Sequence, residues 1–285
     1  MSAQRIDSTL RAITARLVES GSESPSLDAS LLLCHVLGKP RSYLLTWPEK
    51  ELDDSQLAEL ELLLRRREQG EPMAYILGYR EFWSLNLKVA TSTLIPRPDT
   101  ERLVELALDK ALVSEGDILD LGTGTGAIAL ALASELPDRN VLGIDFQQSA
   151  YQLASENRDR LALHNAQFMH GSWYSPLEAG AKFAVITSNP PYIDPQDPHL
   201  DQGDVRFEPR TALVAQEHGL ADIRYISEHA RQFLATGGWL LLEHGYDQGE
   251  AVQDILRGFG FEQVSTEKDF GDNDRVTLGQ WNRKD

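Results

Sequence analysis

The sequence predicts an α/β fold, in which helices cover both faces of an open, mostly parallel sheet and a small helical bundle precedes it. Apolar residues up to about residue 78 recur three and four apart, as they do in helices. From Thr100 onward, helical stretches alternate with short apolar strands, as in parallel sheets. A chain of 285 residues, 41% of them hydrophobic, can form one large domain and a smaller one.

The N-terminal segment, residues 1–78, predicts a bundle of three main helices. The helices are expected to end at Gly21, Gly38 and Gly70, with the second beginning after Ser26 and the third at Asp54 or Ser55. Three arginines, Arg65–Arg67, fall near the end of the third helix, where positive charge is favourable. We expect them to form a solvated helix end.

Residues 79–98 predict a β-hairpin that links the two domains. Phe82–Val89 alternates with a period of two, and Thr93–Ile95 follows a short polar turn. Pro96 and Pro98 then stiffen the exit from the hairpin.

The C-terminal domain, residues 99–285, contains seven candidate strands. They lie at 117–121, 140–145, 166–169, 183–188, 238–243, 261–269 and 275–281. Helices are expected in most of the gaps between them. The exception is 194–216, which is too rich in Pro, Asp and Gly for a regular helix. A connection longer than about 12 to 15 residues is usually functional or disordered.

The first of these strands runs into a glycine turn, Gly122-Thr123-Gly124-Thr125-Gly126, and then into an apolar helix. A nucleotide-type cofactor needs this order, because glycines let the ligand approach the backbone and the helix start offers free N–H groups. Asp145 ends the next strand, where a carboxylate can accept both ribose hydroxyls. The pattern by itself admits NAD, S-adenosylmethionine or a purely structural turn. No second glycine turn follows downstream, which favours S-adenosylmethionine.

The corner Asn189-Pro190-Pro191-Tyr192 follows the strand 183–188, at the edge of the sheet where ligands bind. The prolines leave carbonyl acceptors beside the amide oxygen of Asn189, so the corner accepts hydrogen bonds and hardly donates them. Such a surface suits a planar NH₂ group, with Tyr192 over its flat face. Orientation toward an electrophilic methyl group can contribute about 7 to 11 kcal/mol. The alternative is a simple Asn-Pro turn.

These motifs resemble those of a known family. DLGTGTG at 120–126, Asp145 and NPPYI at 189–193 are similar to class I S-adenosylmethionine-dependent methyltransferases of the amino-methylating kind. YILGYREFWSL at 75–85, LIPRPDTE at 94–101 and VRFEPRTAL at 205–213 narrow the resemblance to the HemK-type release factor glutamine methyltransferases. The resemblance implies a Rossmann-like, seven-stranded methyltransferase domain. It also implies methyl transfer to the N5 amide nitrogen of the Gly-Gly-Gln glutamine in class-1 peptide chain release factors, leaving S-adenosylhomocysteine.

The resemblance further implies roles for individual residues. The segment Gly122–Gly126, which includes Thr123, Gly124 and Thr125, would bind the methionine end of the cofactor. Asp145 would hold its ribose, and Trp173 would pack beside its adenine. The glutamine amide would be held by Asn189, Pro190, Pro191 and Tyr192. Of these, Asn189 would also contact the cofactor. The catalytic residues would be Asn189, Pro190 and Tyr192. Ser172 departs from the family, which often has an acidic residue there that accepts from the adenine amino group.

The resemblance also implies how the partner is held. Val205–Leu213 would help to form the acceptor cleft, with Glu208-Pro209 fixing its backbone and Arg206 or Arg210 meeting polar groups of the partner. The helical bundle and the hairpin would provide a second contact surface on the release factor, because a methyltransferase domain alone offers little area for choosing one glutamine.

Composition and the remaining polar residues exclude several classes of protein. A net charge of −17 and a pI near 4.8 disfavour free nucleic acid as a partner. No run approaches the roughly 18 to 20 apolar residues of a membrane span, and the start lacks the pattern of a signal peptide, so a cytoplasmic location and no membrane partner are expected.

Cys34 is expected to be a buried hydrophobe and His244 to pack locally. No metal site is expected, because the histidines show no metal-binding spacing. A monomer is expected.

Three alternative functions remain open from the sequence. An exocyclic-amine methyltransferase acting on a nucleic acid base would use the same corner, although the acidic charge opposes it. A NAD-dependent oxidoreductase would use the same glycine turn. A cofactor-binding regulator without catalysis would not need the intact corner at 189–192.

Overall fold

Residues 4–282 are described by the computed structural model, and they fall into two units. The first unit holds the chain up to Tyr79 together with His199–Phe207, and the second holds Arg80–Pro198 and the chain from Glu208 onward. The outer ends of the predicted domains, residues 1–3 and 283–285, lie outside the described residues. None of the helices between residues 4 and 282 combines the length and the apolar character that a membrane crossing requires.

The N-terminal part of the first unit is a helical bundle. Its elements are β1 (Gln4–Arg5), α1 (Ile6–Glu19), α2 (Pro25–Leu37), α3 (Arg41–Thr46), β2 (Glu51–Leu52), α4 (Asp54–Glu68) and α5 (Met73–Leu77), with β1 antiparallel to β2. The three predicted helices are confirmed as α1, α2 and α4. The short α3 and α5 went unpredicted, because six and five residues show little periodicity. Leu17, Leu32 and Leu64 pack in the core of the bundle.

The arginines at the end of α4 are paired; Arg65 and Arg66 remain solvated as predicted, whereas the prediction was wrong for Arg67, which is mostly buried. The Nε atom of Arg67 lies 2.7 Å from Oδ2 of Asp28, and the two side chains are 12% and 4% exposed. The two preceding arginines pair with glutamates of the same unit. Asp28 lies 39 residues before Arg67, so only the packing of α2 against α4 brings this pair together.

The hairpin is formed by β3 (Tyr79–Phe82) and β4 (Leu85–Lys88). Trp83 and Ser84 join the strands with positive φ angles of 51° and 58°, which are typical of a type I′ turn. The predicted single strand over Phe82–Val89, paired with Thr93–Ile95, was therefore wrong. The turn lacks the usual Asn or Gly, so the sequence alternates through it without interruption.

A seven-stranded sheet forms the centre of the second unit and confirms the predicted fold class. Its strands are β5 (Asp117–Leu121), β6 (Val141–Asp145), β7 (Ala166–His170), β8 (Phe183–Ser188), β9 (Leu234–Glu243), β10 (Glu262–Lys268) and β11 (Asp274–Trp281). The strand order is β10-β11-β9-β8-β5-β6-β7, with β5 to β9 parallel and β11 antiparallel to both of its neighbours. The order reverses between β5 and β8, which places a ligand crevice beyond their carboxyl ends.

Helices cover both faces of this sheet. They are α6 (Glu101–Leu112), α7 (Ala127–Glu135), α8 (Gln148–Leu161), α9 (Gln216–Gly219), α10 (Ala221–Phe233) and α11 (Gly249–Phe259). Alternate strand residues face two apolar clusters, so Ile118 and Val185 pack with α6 and α7, whereas Leu119 and Ile186 pack with α10 and α11. This alternation explains why the central strands carry apolar residues on both faces.

The long connection after β8 contains no regular helix before α9, as predicted. It holds three single turns of 3₁₀-helix, at Pro198–Asp201, Gly203–Phe207 and Arg210–Ala212. After the corner at 189–192, the chain pairs with residues that follow these turns, through a parallel bridge between Ile193 and Val214.

Candidate active site

The turn after β5 has a backbone that only glycine adopts readily. The φ angles of Gly122, Gly124 and Gly126 are 69°, 56° and 82°. The ring of Trp173 lies 3.5 Å from the position that a Cβ atom on Gly122 would occupy. Gly126 precedes the first residue of α7, so the turn presents backbone N–H groups at the start of a helix.

Asp145, at the end of β6, is tied to this turn. Its Oδ2 accepts the N–H of Gly124 at 2.8 Å, and its Oδ1 accepts the N–H of Gln147 at 2.8 Å. Burial raises the pKa of the carboxyl, while these two hydrogen bonds oppose the shift. Each carboxylate oxygen has a second acceptor site, so Asp145 can still accept hydrogen bonds from a ligand.

Asp120, the last residue but one of β5, is a second carboxyl; it lies in the motif DLGTGTG, but no role was predicted for it. It is fully buried, and its oxygens accept the hydroxyls of Thr123 at 2.6 Å and Thr187 at 3.1 Å. Burial raises its pKa to about 7. A charged residue in an otherwise apolar buried strand was the signal that could have identified it.

A cavity of about 330 Å³ opens at the carboxyl ends of β5, β6 and β8. The residues predicted for the site that line it are Gly122, Thr123, Gly124, Thr125, Asp145, Trp173, Asn189 and Pro191. Three others, Gly126, Pro190 and Tyr192, do not contribute to its lining. The structure therefore brings together the glycine turn, the acidic strand end and the amide of the corner.

Several residues of the lining were not individually predicted to belong to the site. They include Leu94, Pro96, Arg97, Thr100, Phe146, Thr211, Ala212 and Asp222. Most belong to the segments 94–101 and 205–213, whose motifs were noted as family features. Phe146 directly follows Asp145 and is 67% exposed. Asp222 lies in the first turn of α10, and burial raises its pKa; it belongs to no motif found in the sequence.

Trp173 and Ser172 line the cavity as neighbours after β7. The backbone of Trp173 has a positive φ of 47°, and its partly buried ring packs toward the glycine turn. Ser172 is exposed, and its backbone N–H bonds to the hydroxyl of Ser175. The predicted adenine contact of Trp173 stays a prediction.

The corner at 189–192 is fixed by its neighbours. Oγ of Ser188, just before it, donates to the carbonyl of Leu121 at 2.8 Å, which ties β8 to the end of β5. Nδ2 of Asn189 lies 3.3 Å from Oγ1 of Thr100. The carbonyl of Tyr192 accepts from the side chain of Gln248 at 3.0 Å. The corner is thus rigid, as the two consecutive prolines suggest.

The hydroxyl of Tyr192 points to Glu243 at the end of β9. It lies 3.5 Å from Oε1 of Glu243, and burial raises the pKa of the tyrosine well above its usual value. Glu243 is 1% exposed, and burial raises its pKa to about 7. The next residue, His244, is buried and bonds to Gly245 and Thr277, which confirms the prediction that it packs locally.

Glu208 joins two of the family-like segments. One of its oxygens accepts the backbone N–H of Ile95 at 3.0 Å, and the other accepts Nη2 of Arg97 at 2.5 Å. Its side chain is buried, so the pair fixes the backbone on which Leu94, Pro96 and Thr100 enter the cavity. Arg206 lies in the first unit and donates to the carbonyl of Gln69 at 3.3 Å.

No metal cluster can be assigned within residues 4–282, where no group of three or more His, Cys, Asp or Glu side chains could hold an ion. The absence of a metal stays a prediction. Cys34 is partly buried, and burial raises the pKa of its thiol.

Comparisons with known proteins show similarity along most of the chain. Residues 8–78 match the family model of the PrmC N-terminal domain, and residues 99–205 match that of the methyltransferase small domain. The chain is 68% identical over 276 residues to the release factor glutamine methyltransferase of Vibrio cholerae serotype O1, covering 97% of this chain and 96% of that protein. It is 55% identical over 260 residues to the protein of the same name from Escherichia coli K12, covering 91% and 94%.

A solved structure shares the fold. The catalytic domain of hMettl16, in complex with a MAT2A 3′UTR hairpin, aligns with a TM-score of 0.58 at 15% identity and covers 83% of this chain and 85% of that one. At this identity the likeness extends to the fold alone.

Proposed function

The chain belongs to the release factor glutamine methyltransferases, and from that membership we propose how its site carries out the reaction. The enzyme is an S-adenosylmethionine-dependent protein-glutamine methyltransferase that methylates the side-chain amide nitrogen of a release factor glutamine. We propose that this glutamine is the one in the Gly-Gly-Gln motif of class-1 release factors. The amide nitrogen gains the methyl group and loses one proton.

The cavity fits the cofactor. Its volume of about 330 Å³ lies within the usual range of small-molecule sites, roughly 300 to 1,000 Å³. The glycine turn offers backbone N–H groups, Asp145 offers carboxylate acceptors for ribose hydroxyls, and Trp173 offers a flat apolar ring. S-adenosylmethionine supplies an electrophilic methyl group carried on a sulfonium.

Asn189 holds the acceptor glutamine. Its amide lines the same cavity as Asp145 and the glycine turn, and this juxtaposition carries the proposal. The amide oxygen of Asn189 accepts one hydrogen of the glutamine NH₂, and the carbonyl of Pro190, which lies between the lining residues Asn189 and Pro191, accepts the other. Two fixed acceptors orient the amide nitrogen, whose delocalised lone pair makes it a poor nucleophile. Orientation of this kind contributes on the order of 7 to 11 kcal/mol.

The first test measures labelled methyl transfer from S-adenosylmethionine to a purified class-1 release factor. Parallel reactions contain the same factor with its Gly-Gly-Gln glutamine replaced by alanine, ribosomal RNA, or DNA. Label on the unmodified release factor alone is the expected result. Label on the alanine-substituted factor would move the acceptor to another residue, and label on nucleic acid would overturn the assignment.

Asn189→Ala tests the role of the corner. We expect the dissociation constant for the cofactor to change by only a few-fold, whereas kcat should fall by about 100-fold or more, because the variant lacks an acceptor used in orienting the amide. Asn140→Ala is the matched control, since Asn140 is exposed and bonds to Asp117 at the other end of the sheet. An equal loss of binding and turnover in Asn189→Ala would make Asn189 a structural residue.

The first unit is proposed as a second contact surface for the release factor. A cavity of this size covers little of a protein partner, and specific protein interfaces bury about 800 Å² on each side. The unit also exposes large apolar side chains, including those of Leu45 and Trp47. Hydrogen exchange of the enzyme with and without the release factor tests this, and protection confined to the second unit would contradict it.

A further inference from the structure

We propose that Glu243 is a positioning residue that acts through Thr100 to hold the amide of Asn189 with its oxygen facing the cavity. The inference rests on the proposed role of Asn189 in binding the glutamine amide. It adds a residue that lies outside the cavity lining and touches neither substrate nor cofactor.

The four side chains form a continuous polar path. Nδ2 of Asn189 lies 3.3 Å from the hydroxyl oxygen of Thr100, and both residues line the cavity. Hydrogen bonding from the Thr100 hydroxyl lowers the pKa of Glu243 and so favours its ionised form, while Oε2 of Glu243 has no well-aligned partner in the described part of the chain. On its other side, Glu243 accepts the hydroxyl of Tyr192 at 3.5 Å. The path therefore runs from a buried carboxyl to the acceptor amide.

The single hydrogen of the Thr100 hydroxyl gives this path a direction. An ionised Glu243 can only accept, so it draws the hydroxyl hydrogen toward itself. The Thr100 oxygen must then accept from Asn189, which turns Nδ2 toward Thr100 and leaves Oδ1 for the cavity. A protonated Glu243 can donate instead, and the Thr100 hydroxyl is then free to donate to Oδ1. In that case the NH₂ of Asn189 would face the NH₂ of the incoming glutamine.

The surroundings of Glu243 allow both charge states. It is fully buried, which raises its pKa to about 7, and its Oε2 has no well-aligned hydrogen-bond partner among residues 4–282. Arg275 on β11 favours the ionised form, while Asp99, before α6, opposes it. Tyr192 faces the carboxyl as a neutral phenol. The positive charge of Arg97, in the segment before α6, acts to lower the pKa of that phenol. Charge at Glu243 thus changes within the ordinary working range of pH.

Glu243→Gln, which keeps the size of the side chain, tests the inference in the intact enzyme. In the wild type, kcat should rise as pH increases through about 7 and then level off, because Glu243 ionises there. In the variant, kcat at pH 8 should be about tenfold lower, and this rise should disappear, while the dissociation constant for S-adenosylmethionine stays within a few-fold. Glu250→Gln, at an exposed position, is the matched control and should keep the wild-type profile.

A second pair of variants separates positioning from simple structural support. Thr100→Val removes the hydroxyl but leaves Glu243 in place, and it should also lose the rise in kcat with pH. Thr100→Ser restores a hydroxyl and should recover it. If Glu243→Gln fails to fold, this pair decides the question. A merely structural role would lower the melting temperature without changing the shape of the pH profile.

The outcomes distinguish this inference from the proposed function. If the wild-type enzyme transfers no methyl group to a release factor, the proposed function itself fails. If the wild type methylates and both Glu243→Gln and Thr100→Val keep the rise in kcat through pH 7, only the inference about Glu243 is overturned.

Discussion

Asp120 and Asp145 lie near the carboxyl ends of neighbouring strands, yet their surroundings give them different roles. Asp120 is completely buried, and its oxygens are occupied by the hydroxyls of Thr123 and Thr187, so it fixes the base of the glycine turn. Asp145 lines the cavity and accepts only one backbone N–H on each oxygen. A ligand in the cavity can therefore reach the remaining acceptor sites of Asp145 but not those of Asp120.

Asp145→Asn should weaken cofactor binding. The amide keeps one acceptor oxygen but loses the charge, and hydrogen bonds to charged groups are worth about 1.5 to 3 kcal/mol. We expect the dissociation constant for S-adenosylmethionine, measured by titration calorimetry, to rise about 10- to 100-fold. Asp117→Asn, at the exposed start of β5, is the control and should bind normally. An unchanged constant for Asp145→Asn would remove the ribose role.

Tyr192 shows how far residue chemistry can be predicted without the fold. The sequence places an aromatic ring beside the amide of Asn189, and the expectation was that this ring covers the flat face of the substrate. In the structure the ring lies outside the cavity lining, and its hydroxyl is directed to Glu243, 51 residues later in the chain. A partner so distant in sequence leaves no local signal, so the substrate contact of Tyr192 stays a prediction.

Elements with strong local signals were predicted, and those without them were not. The strand, glycine turn and helix around Gly122 each carry their own pattern, as does the strand that leads to Asn189. The turn at Trp83 and Ser84 has positive φ angles but neither Asn nor Gly, and its position was missed. The pairing of Glu208 with Arg97 joins residues 111 apart, and only the folded chain shows it.

A buried ion pair links α2 to α4. Asp28 accepts Nε of Arg67 at 2.7 Å and also the hydroxyls of Ser22 and Ser24, at the start of α2. Removing one partner of a buried pair leaves an uncompensated charge, which costs about 3 to 5 kcal/mol. The arginine has alternative partners at the carbonyl of Glu71 and at Asp204, which are weaker substitutes.

Asp28→Ala should therefore destabilise the first unit by about 3 kcal/mol or more. Urea unfolding followed by circular dichroism measures this loss. Asp7→Ala provides the comparison within the same unit, because Asp7 pairs with the exposed side chains of Arg5 and Arg11, and exposed pairs contribute roughly 0 to 1 kcal/mol. Equal stability of the two variants would mean that the Asp28 pair adds nothing beyond a surface pair.

The whole molecule is strongly acidic, and its stability should depend on pH in two opposite ways. Glu61, whose pKa is lowered to about 2 by its hydrogen bond with Arg16, contributes stability that is present above its unfolded pKa and is lost as pH falls. Asp120 and Glu243 have pKa values raised to about 7 by burial. Between about pH 4 and pH 7, the folded state therefore binds more protons at these two sites than the unfolded state, and stability falls as pH rises.

We thus expect the second unit to be more stable at pH 5.5 than at pH 8, by on the order of a few kcal/mol. Asp120→Asn should reduce this fall, because an amide does not ionise, whereas Asp117→Asn should leave it unchanged. Tryptophan fluorescence during urea unfolding follows mainly this unit, which contains Trp83, Trp173, Trp239 and Trp281, whereas the first unit contains Trp47. The range starts at pH 5.5 because the pI is near 4.8, where loss of net charge would promote precipitation. Stability that stayed level from pH 5.5 to 8 would show that both carboxyls are already ionised at pH 5.5 and that the hydrogen bonds from Thr123 and Thr187 outweigh the cost of burying Asp120.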